Sequence, residues 1–221
     1  MKKVLFLILS ICSHFAFAQI PTEVLVGNRQ THYISYWQKD IDAAGKLNLF
    51  TFSRFAIDHR NSMYNNFSLE AQLTYQIKDW IGISAGGGYA GEDFMPAIGL
   101  SLSHASKKGD FFIEAYPTLL LDDVKAFNVL GIVGYMPTLN DKWGLFTQLI
   151  FSTNLQLDKT DFSPTREILG VFTAHQQSSQ LIRVGLNYKE RFQFGIGADF
   201  NQFFQNTGNF QNVGLFVRMN L

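Results

Sequence analysis

The C-terminal nine residues alternate strictly between two kinds of position. Every second side chain is apolar, and the positions between them hold Gly214, Phe216, Arg218 and Asn220. A period of two is typical of a β-strand whose two faces meet different surroundings. The same alternation recurs along the chain in segments of about 10 residues, the length that a tilted strand needs to cross a bilayer. The apolar positions of this last strand are Val213, Leu215, Val217, Met219 and Leu221.

Two predicted hairpins show this alternation most clearly. From Phe67 to Ile77 the odd-numbered residues are apolar and the even-numbered ones are polar, and Lys78-Asp79 then predicts a tight turn. From Ile182 to Phe200 the apolar positions again alternate with small or polar ones, on both sides of a predicted turn at Lys189–Arg191. We expect the apolar face of these strands to meet lipid and the other face to line a lumen.

The N-terminus has the three parts of a secretion signal. Lys2 and Lys3 are followed by an apolar run from Val4 to Ile11, and Ala16-Phe-Ala18 offers a small-residue cleavage site. Residues 1–18 are therefore predicted to be a signal peptide, which is too short for a membrane-spanning helix. Cys12, the single cysteine, would leave with the signal, so we expect neither a disulfide nor thiol chemistry in the mature chain.

Alternation alone fits both a soluble β-sandwich and a membrane barrel. The export signal, the terminal strand and a load of 22 Phe, 8 Tyr and 3 Trp favour the barrel, because aromatic girdles mark its two interfaces. The predicted fold is an all-β transmembrane antiparallel up-and-down β-barrel. Its boundaries, 46–221, give about ten strands. Twelve is the alternative, since Thr31–Trp37 adds an element and pairing needs an even number. Residues 19–45, before the barrel domain, are predicted to be an N-terminal segment that is either periplasmic or the first strand.

Composition and motifs narrow the function. Without Lys2 and Lys3 the mature chain has 16 basic and 18 acidic residues, a formal charge of −2 that argues against a nucleic-acid partner. No later apolar run approaches the roughly 18 residues of a spanning helix. The histidines are scattered and no nucleotide motif is present, so the sequence predicts no metal and no cofactor.

At this point the chain resembles the Gram-negative outer-membrane β-barrel proteins. The resemblance covers most of the mature chain as architecture, and in that class the last strand carries the signal for the barrel-assembly machinery. Val213–Met219 matches this alternating signal, whereas Leu221 stands where Phe is usual. The resemblance implies a location in the outer membrane, contact with its lipids and assembly by that machinery. It leaves open whether the protein joins a larger envelope complex.

The turns predict a topology for this barrel. Short polar turns recur at every second connection, and such turns lie on the periplasmic side of this class of barrel. They are Lys78-Asp79, Lys107–Asp110, Asn140-Asp141 and Lys189–Arg191. The remaining connections are expected to face outward. They are Asn61–Asn66, Gly91–Asp93, Asp122–Val124, Gln156–Thr165 and Gln205–Asn209.

Charged residues on the inward faces are the main candidates for function. Three are basic and three acidic, and ions in a narrow lumen are expected to pair because an isolated buried charge is costly. They form either a salt-bridge plug or a charged constriction that selects a permeating solute. The sequence thus predicts a non-catalytic structural or small-solute pore, porin-like in kind. The six residues are Arg54, Glu70, Glu114, Arg183, Asp199 and Arg218.

A hydrolase at the outer rim is the alternative function. Such an enzyme needs a base near a serine or a carboxylate, and Asp58-His59 and His175 lie near predicted outward ends. His104 follows Ser101 and Ser103 but shares its face with Leu102, so a serine–histidine pair within that strand is not expected. Since no lipase or protease signature accompanies these residues, the prediction is that the chain is not an enzyme.

Overall fold

A computed structural model describes residues 21–90, 93–121, 125–157, 165–168, 171–203 and 210–220. The predicted signal peptide, residues 1–18, lies outside these ranges, as does Leu221. The described chain contains thirteen strands and one short 3-10 turn, η1, at Ser62–Tyr64. The strands are β1 Pro21–Gly27, β2 Gln30–Asp40, β3 Leu47–Asp58, β4 Asn66–Lys78, β5 Ile81–Ala90, β6 Asp93–Ala105, β7 Phe111–Leu120, β8 Ala126–Tyr135, β9 Trp143–Gln156, β10 Thr165–Ile168, β11 Val171–Tyr188, β12 Phe192–Phe203 and β13 Phe210–Asn220.

Twelve of these strands close into a ring. Each pairs antiparallel with its chain neighbour, β9 pairs with β11, and β13 pairs with β1 to complete the circle. The short strand β10 pairs with β11 outside this ring. The fold is therefore a transmembrane antiparallel up-and-down barrel of twelve strands, as in the alternative that the sequence left open.

The main expectation of about ten strands was wrong because two strands precede Lys46. β1 is only seven residues long, which is short for the pattern that marks the other strands. In β2 the alternation is partly inverted, because Ile34 faces inward while the polar Ser35 lies on the outward face. Both strands take part in the sheet, so the segment 19–45 contributes two strands to the barrel.

The ring has two distinct ends. One end, called the terminus end, carries the outer ends of β1 and β13 together with the connections 41–46, 79–80, 106–110, 136–142 and 189–191. The four predicted short turns all belong to this end. The opposite end, called the loop end, carries η1 and the β10–β11 hairpin. The predicted connections Asp122–Val124 and Gln205–Asn209 lie outside the described residues, and those at 91–93 and 156–165 do so in part.

The outward face is apolar, as lipid contact requires. Large apolar side chains point away from the ring with much of their surface exposed, among them Leu73 at 43%, Ile83 at 56% and Leu215 at 69%. A soluble sheet would bury such residues against a core. In the described part of the chain, no helix has the length and apolar character needed to cross a membrane.

The inward face is more varied than a polar lumen. On β4, β5 and β6 it is lined by small and polar residues such as Gly82, Ser84 and Ser101. On β3 and β8, however, the buried inward positions include Phe50 and Ile132, so the expectation of small and polar inward residues does not hold for these strands. One apolar cluster of inward residues joins strands from several sides of the ring: Ile34, Phe50, Phe52, Tyr116, Leu130, Ile132, Ile150 and Leu181.

Candidate functional site

The lumen is filled at mid-height. Every strand of the ring contributes at least one inward side chain that is no more than 2% exposed. Even Ser84 and Ser101, whose own side chains are small, are buried. We call this layer the plug. Its most buried members, one from each strand, are Leu25, His32, Phe50, Thr74, Ser84, Ser101, Tyr116, Ile132, Gln148, Arg183, Asp199 and Phe216.

A chain of charged and polar groups forms one part of the plug. Arg183 Nε lies 2.6 Å from Glu23 Oε1, and Arg183 Nη1 lies 2.5 Å from Asp199 Oδ1. The other oxygen of Asp199 is 2.5 Å from His32 Nδ1, and His32 Nε2 contacts Gln30 Oε1 at 2.8 Å. All five side chains are buried. Because each ion has a partner, the network avoids the cost of an isolated buried charge.

Gly197 makes room for this network. It pairs with Arg183 across the β11–β12 ladder. A Cβ atom at position 197 would lie 2.2 Å from Leu25 Cδ1 and 3.1 Å from Arg183 Cδ, which is too close for the leucine to stay in place. The absence of a side chain here lets Arg183 reach across to Glu23.

A second bridge crosses the lumen closer to the terminus end. Arg218 on β13 donates to Gln148 Oε1 on β9 at 3.0 Å and to Tyr36 Oη on β2 at 2.7 Å. Gln148 Nε2 donates to the same Tyr36 oxygen at 2.5 Å. The guanidinium carbon also lies 4.5 Å from the centre of the Tyr36 ring, within the range of a cation–π contact. Three strands, β2, β9 and β13, are thus linked by side chains that all hydrogen-bond to one another.

Aromatic stacking closes another side of the lumen. The rings of Phe50 on β3 and Tyr116 on β7 stack with their centroids 4.1 Å apart and an interplanar angle of 19°. Tyr116 Oη lies 3.2 Å from Glu114 Oε2 and 3.3 Å from Gln38 Oε1. Because β3 and β7 are separated by three strands in the sheet, this stack spans the lumen rather than lining one wall.

The six charged residues predicted from the sequence all point into the barrel, but they do not form one cluster. Arg183, Asp199 and Arg218 belong to the plug. Glu114 lies beside Tyr116, whereas Arg54 and Glu70 line a cavity at the loop end. Whether these charges plug the lumen or select a solute remains a prediction. Their partners Glu23, His32 and Tyr36 were not identified from the sequence, because β1 and β2 were not recognised as two separate strands of the barrel.

The loop end contains two adjoining cavities. One has a volume of about 180 Å³ and is lined by polar residues that include Arg54, Glu70 and Asn154. The other, of about 240 Å³, lies beside η1. Arg54, Asn66 and Gln177 border both. We call the two cavities together the vestibule; it is bounded below by plug residues such as Leu181.

The rim histidines have different partners. His59 Nε2 lies 2.9 Å from Thr31 Oγ1 and has no serine beside it among the described hydrogen bonds. His175 Nε2 lies 2.7 Å from Ser178 Oγ, which in turn contacts Thr153 Oγ1 at 2.7 Å. A β-bulge between His175 and Gln177 separates the two members of this pair.

The proposed assembly strand is a full member of the ring. β13 pairs with both β12 and β1, and its outward residues Val213, Leu215 and Val217 are 47%, 69% and 57% exposed. Met219 is half-buried, and Leu221 lies outside the described residues. The role of this strand in assembly stays a prediction. Among the described residues, no group of three or more His, Cys, Asp or Glu is arranged to hold a metal ion.

Comparison with known proteins identifies the fold. No family model matches the chain, and no curated protein matches its sequence. Among solved structures the chain is similar to the NanC porin, with a TM-score of 0.52 and 10% identity over 91% of this chain and 98% of that one. The fold is that of a porin barrel. The fold implied by the resemblance to Gram-negative outer-membrane β-barrel proteins is thereby confirmed. The KdgM porin matches over the same shares of both chains, with 9% identity and a TM-score of 0.47.

Proposed function

We propose that this chain is an integral outer-membrane barrel without catalytic activity, and that it acts as a small-solute pore whose resting state is closed. A polar solute enters the vestibule from the loop end, and it crosses only when the plug parts. The plug carries this proposal, since side chains from all twelve strands of the ring are buried in it. A filled lumen favours the salt-bridge plug over an open charged constriction.

A row of unpartnered polar groups favours a pore over a purely structural barrel. Asn48, Thr74 and Ser84 lie side by side on β3, β4 and β5. Each has a buried side-chain oxygen without a hydrogen-bond partner in the described chain. Such a group costs roughly 1–3 kcal/mol, so apolar residues would fill a structural core better. A row of oxygen atoms suits water or a polar solute that moves along this wall.

The strands that carry and follow this row, β5 and β6, also have the smallest inward side chains. The inward positions of β5 and β6 include Gly82, Gly86, Gly99 and Ser101, which add little bulk to the lumen. The bulky plug residues come from other strands, among them β2, β3, β8 and β9. A small movement of those side chains away from β5 and β6 would open a polar path.

Planar-bilayer recording tests the closed pore. The refolded mature protein should show rare, brief openings. The double variant Tyr36→Ala/Arg218→Ala, which removes the second bridge, should conduct more often and with larger amplitude. Tyr33→Ala/Arg60→Ala removes the same residue types from exposed positions and should match the unaltered protein. A steady current from the unaltered protein would contradict the plug, and a folded but silent bridge variant would contradict the pore.

The proposal also assigns the two ends of the barrel. The terminus end would face the periplasm and the loop end the exterior, with the outward face in contact with outer-membrane lipids and the barrel-assembly machinery acting during biogenesis. Because the predicted mature chain has no cysteine, Ser62→Cys in η1 and Lys108→Cys at the terminus end give single labelling sites. A membrane-impermeant maleimide on intact cells should label only the first. Labelling of position 108 alone would show that the barrel has the opposite orientation, with the terminus end facing the exterior.

One observation supports a second function, an acyl hydrolase at the rim. Residues three apart in a regular strand face opposite sides, but the bulge adds a residue and brings His175 and Ser178 together. Since the neighbouring Ser179 is buried inward, this pair lies on the outward surface, where lipid would reach it. A histidine that contacts a serine hydroxyl is the usual arrangement of base and nucleophile.

The hydrolase candidate lacks one expected part. No carboxylate or amide of the described residues is hydrogen-bonded to His175 Nδ1, so nothing orients the base in the way that a third group does in serine hydrolases. Release of a fluorogenic acyl chain from mixed micelles tests the candidate. Activity that Ser178→Ala and His175→Ala abolish, but that the outward control Gln180→Ala retains, would replace the non-catalytic proposal.

A further inference from the structure

The vestibule presents an unpaired cation at its centre. Arg54 Nη1 and Nη2 both lie 3.3 Å from Asn201 Oδ1, a long contact with a neutral partner. Arg54 Nε is buried and has no hydrogen-bond partner in the described chain. Among the described ion pairs none includes Arg54, unlike Arg183 in the plug below it. A guanidinium with a free donor beside a cavity is suited to bind a carboxylate.

Glu70 supplies the opposite charge on the next strand. In the β3–β4 ladder Phe52 pairs with Glu70 and Arg54 pairs with Ser68. Arg54 and Glu70 are therefore diagonal neighbours on the same inward face, a relationship that puts their Cα atoms roughly 7–8 Å apart. Glu70 accepts a hydrogen bond from Gln72 Nε2 and forms no ion pair with Arg54 within the described residues. Both charged side chains line the cavity of about 180 Å³.

We propose that the vestibule binds a small zwitterion, such as an α-amino acid with a short side chain. Its carboxylate accepts hydrogen bonds from Arg54, and its ammonium group contacts Glu70. One ligand that carries both charges provides a counter-charge for Arg54 and for Glu70, whereas a simple anion would leave Glu70 without one. This binding site goes beyond the closed pore, since a solute can bind above the plug without crossing it.

The size and lining of the cavity limit this ligand. An apolar cavity of about 150 Å³ holds benzene, so the present volume accommodates a molecule of about that size. Asn154 Oδ1, a further buried acceptor without a partner in the described chain, borders the same space. Leu130, Ile150 and Leu181 provide an apolar floor. A short hydroxylated side chain, as in serine, fits this combination better than a long or charged one.

Calorimetric titration of the refolded protein in detergent micelles tests the site. L-Serine should bind, whereas acetate, which lacks the ammonium group, and ethanolamine, which lacks the carboxylate, should each bind at least about tenfold more weakly. Arg54→Gln and Glu70→Gln should each weaken serine binding by about tenfold or more. Glu114→Gln is the matched control, because Glu114 is also an inward glutamate bonded to its second neighbour, Tyr116, but does not border the cavity.

Each alternative outcome overturns the proposal in a distinct way. Equal binding of serine and acetate that Glu70→Gln leaves unchanged would make the vestibule an anion site. Equal binding of serine and ethanolamine that Arg54→Gln leaves unchanged would make it a cation site. No binding of serine to a protein that retains its barrel circular dichroism would remove the site altogether. None of these results depends on conductance, so the closed pore and the zwitterion site fail separately.

Discussion

Arg183 on β11 donates from Nε to Glu23 Oε1 on β1 at 2.6 Å, although two strands lie between them in the sheet. The two side chains meet inside the lumen and bypass the strands between them, so this contact forms only once the ring has closed. It links the N-terminal strand β1 to β11 through a buried ion pair rather than through backbone hydrogen bonds. The plug therefore contributes to barrel closure as well as filling part of the lumen.

Replacing Arg183 should destabilise the barrel strongly. Arg183→Met keeps most of the side-chain volume but leaves Glu23 and Asp199 buried without their shared cation. Breaking a buried ion pair by removing one partner costs about 3–5 kcal/mol. We expect a loss of that size in the free energy of unfolding, measured by urea denaturation of the protein in lipid vesicles. The triple variant Glu23→Gln/Arg183→Met/Asp199→Asn should be less destabilised, because no unpaired charge remains.

Arg60→Met serves as the control for this series. Arg60 lies in the exposed connection after β3, and its replacement should change the unfolding free energy little. If Arg183→Met were as mild as Arg60→Met, the network would contribute nothing to stability and the plug would be only a packing feature.

Charge on the outward face should be penalised according to depth. Leu73 lies outward near the middle of β4, and Ile77 lies on the same face next to the terminus-end turn. Leu73→Arg should lower the unfolding free energy by about 2–4 kcal/mol, and Ile77→Arg by about 0–1 kcal/mol, because the cost falls towards the interface. Urea titrations of both variants in vesicles measure the difference. Equal costs at the two positions would contradict the placement of β4 across the bilayer.

Asn212 should stabilise the β1–β2 turn through its side chain. Its Oδ1 accepts hydrogen bonds from the Gln30 amide at 2.9 Å and the Arg29 amide at 3.1 Å, and its Nδ2 donates to Gln30 O at 3.1 Å. Asn212→Ala leaves these turn groups without partners and should lower the unfolding free energy by about 1–3 kcal/mol. Gln211→Ala, at the neighbouring exposed position, is the control.

Gly27 gives a sharper test of the same contact. A Cβ atom at Gly27 would lie 2.1 Å from Asn212 Oδ1, so Gly27→Ala should displace the amide and cost about as much as removing it. Once Asn212 is already alanine, the added methyl group meets no obstacle there. The two losses in unfolding free energy should therefore be strongly non-additive. Simple addition would show that the turn does not depend on this side chain.

The outward faces could be predicted because lipid imposes one requirement on every strand. At Leu73, Ile83 and Leu215 the apolar residue meets lipid, and a period of two is enough to find it. The lumen imposes no such single requirement. Inward positions hold Ser84 on one wall and Phe50 on another, since each must fit whatever reaches across from the opposite side.

The plug and the rim pair depend on relationships that a single strand does not reveal. Inward charges such as Arg183 could be identified by their face, but their partners lie on strands up to four positions away around the ring. Glu23 and His32 were missed because β1 is short and β2 has a partly inverted alternation. His175 and Ser178 face the same side only through a bulge, which shifts the period without changing the composition.

Removal of the C-terminal strand should prevent membrane assembly. β13 pairs with both β12 and β1, so deletion of residues 213–221 leaves two strand edges with unpaired backbone groups in lipid. The truncated protein should be absent from the outer-membrane fraction and should lose the compact form that barrels keep on unheated gels. Leu221→Phe restores the usual final aromatic residue without touching the described ladder, and it should assemble at least as well as the unaltered chain. Normal assembly of the truncated protein would contradict the closed ring, since without β13 the edge of β1 that faces away from β2 has no partner.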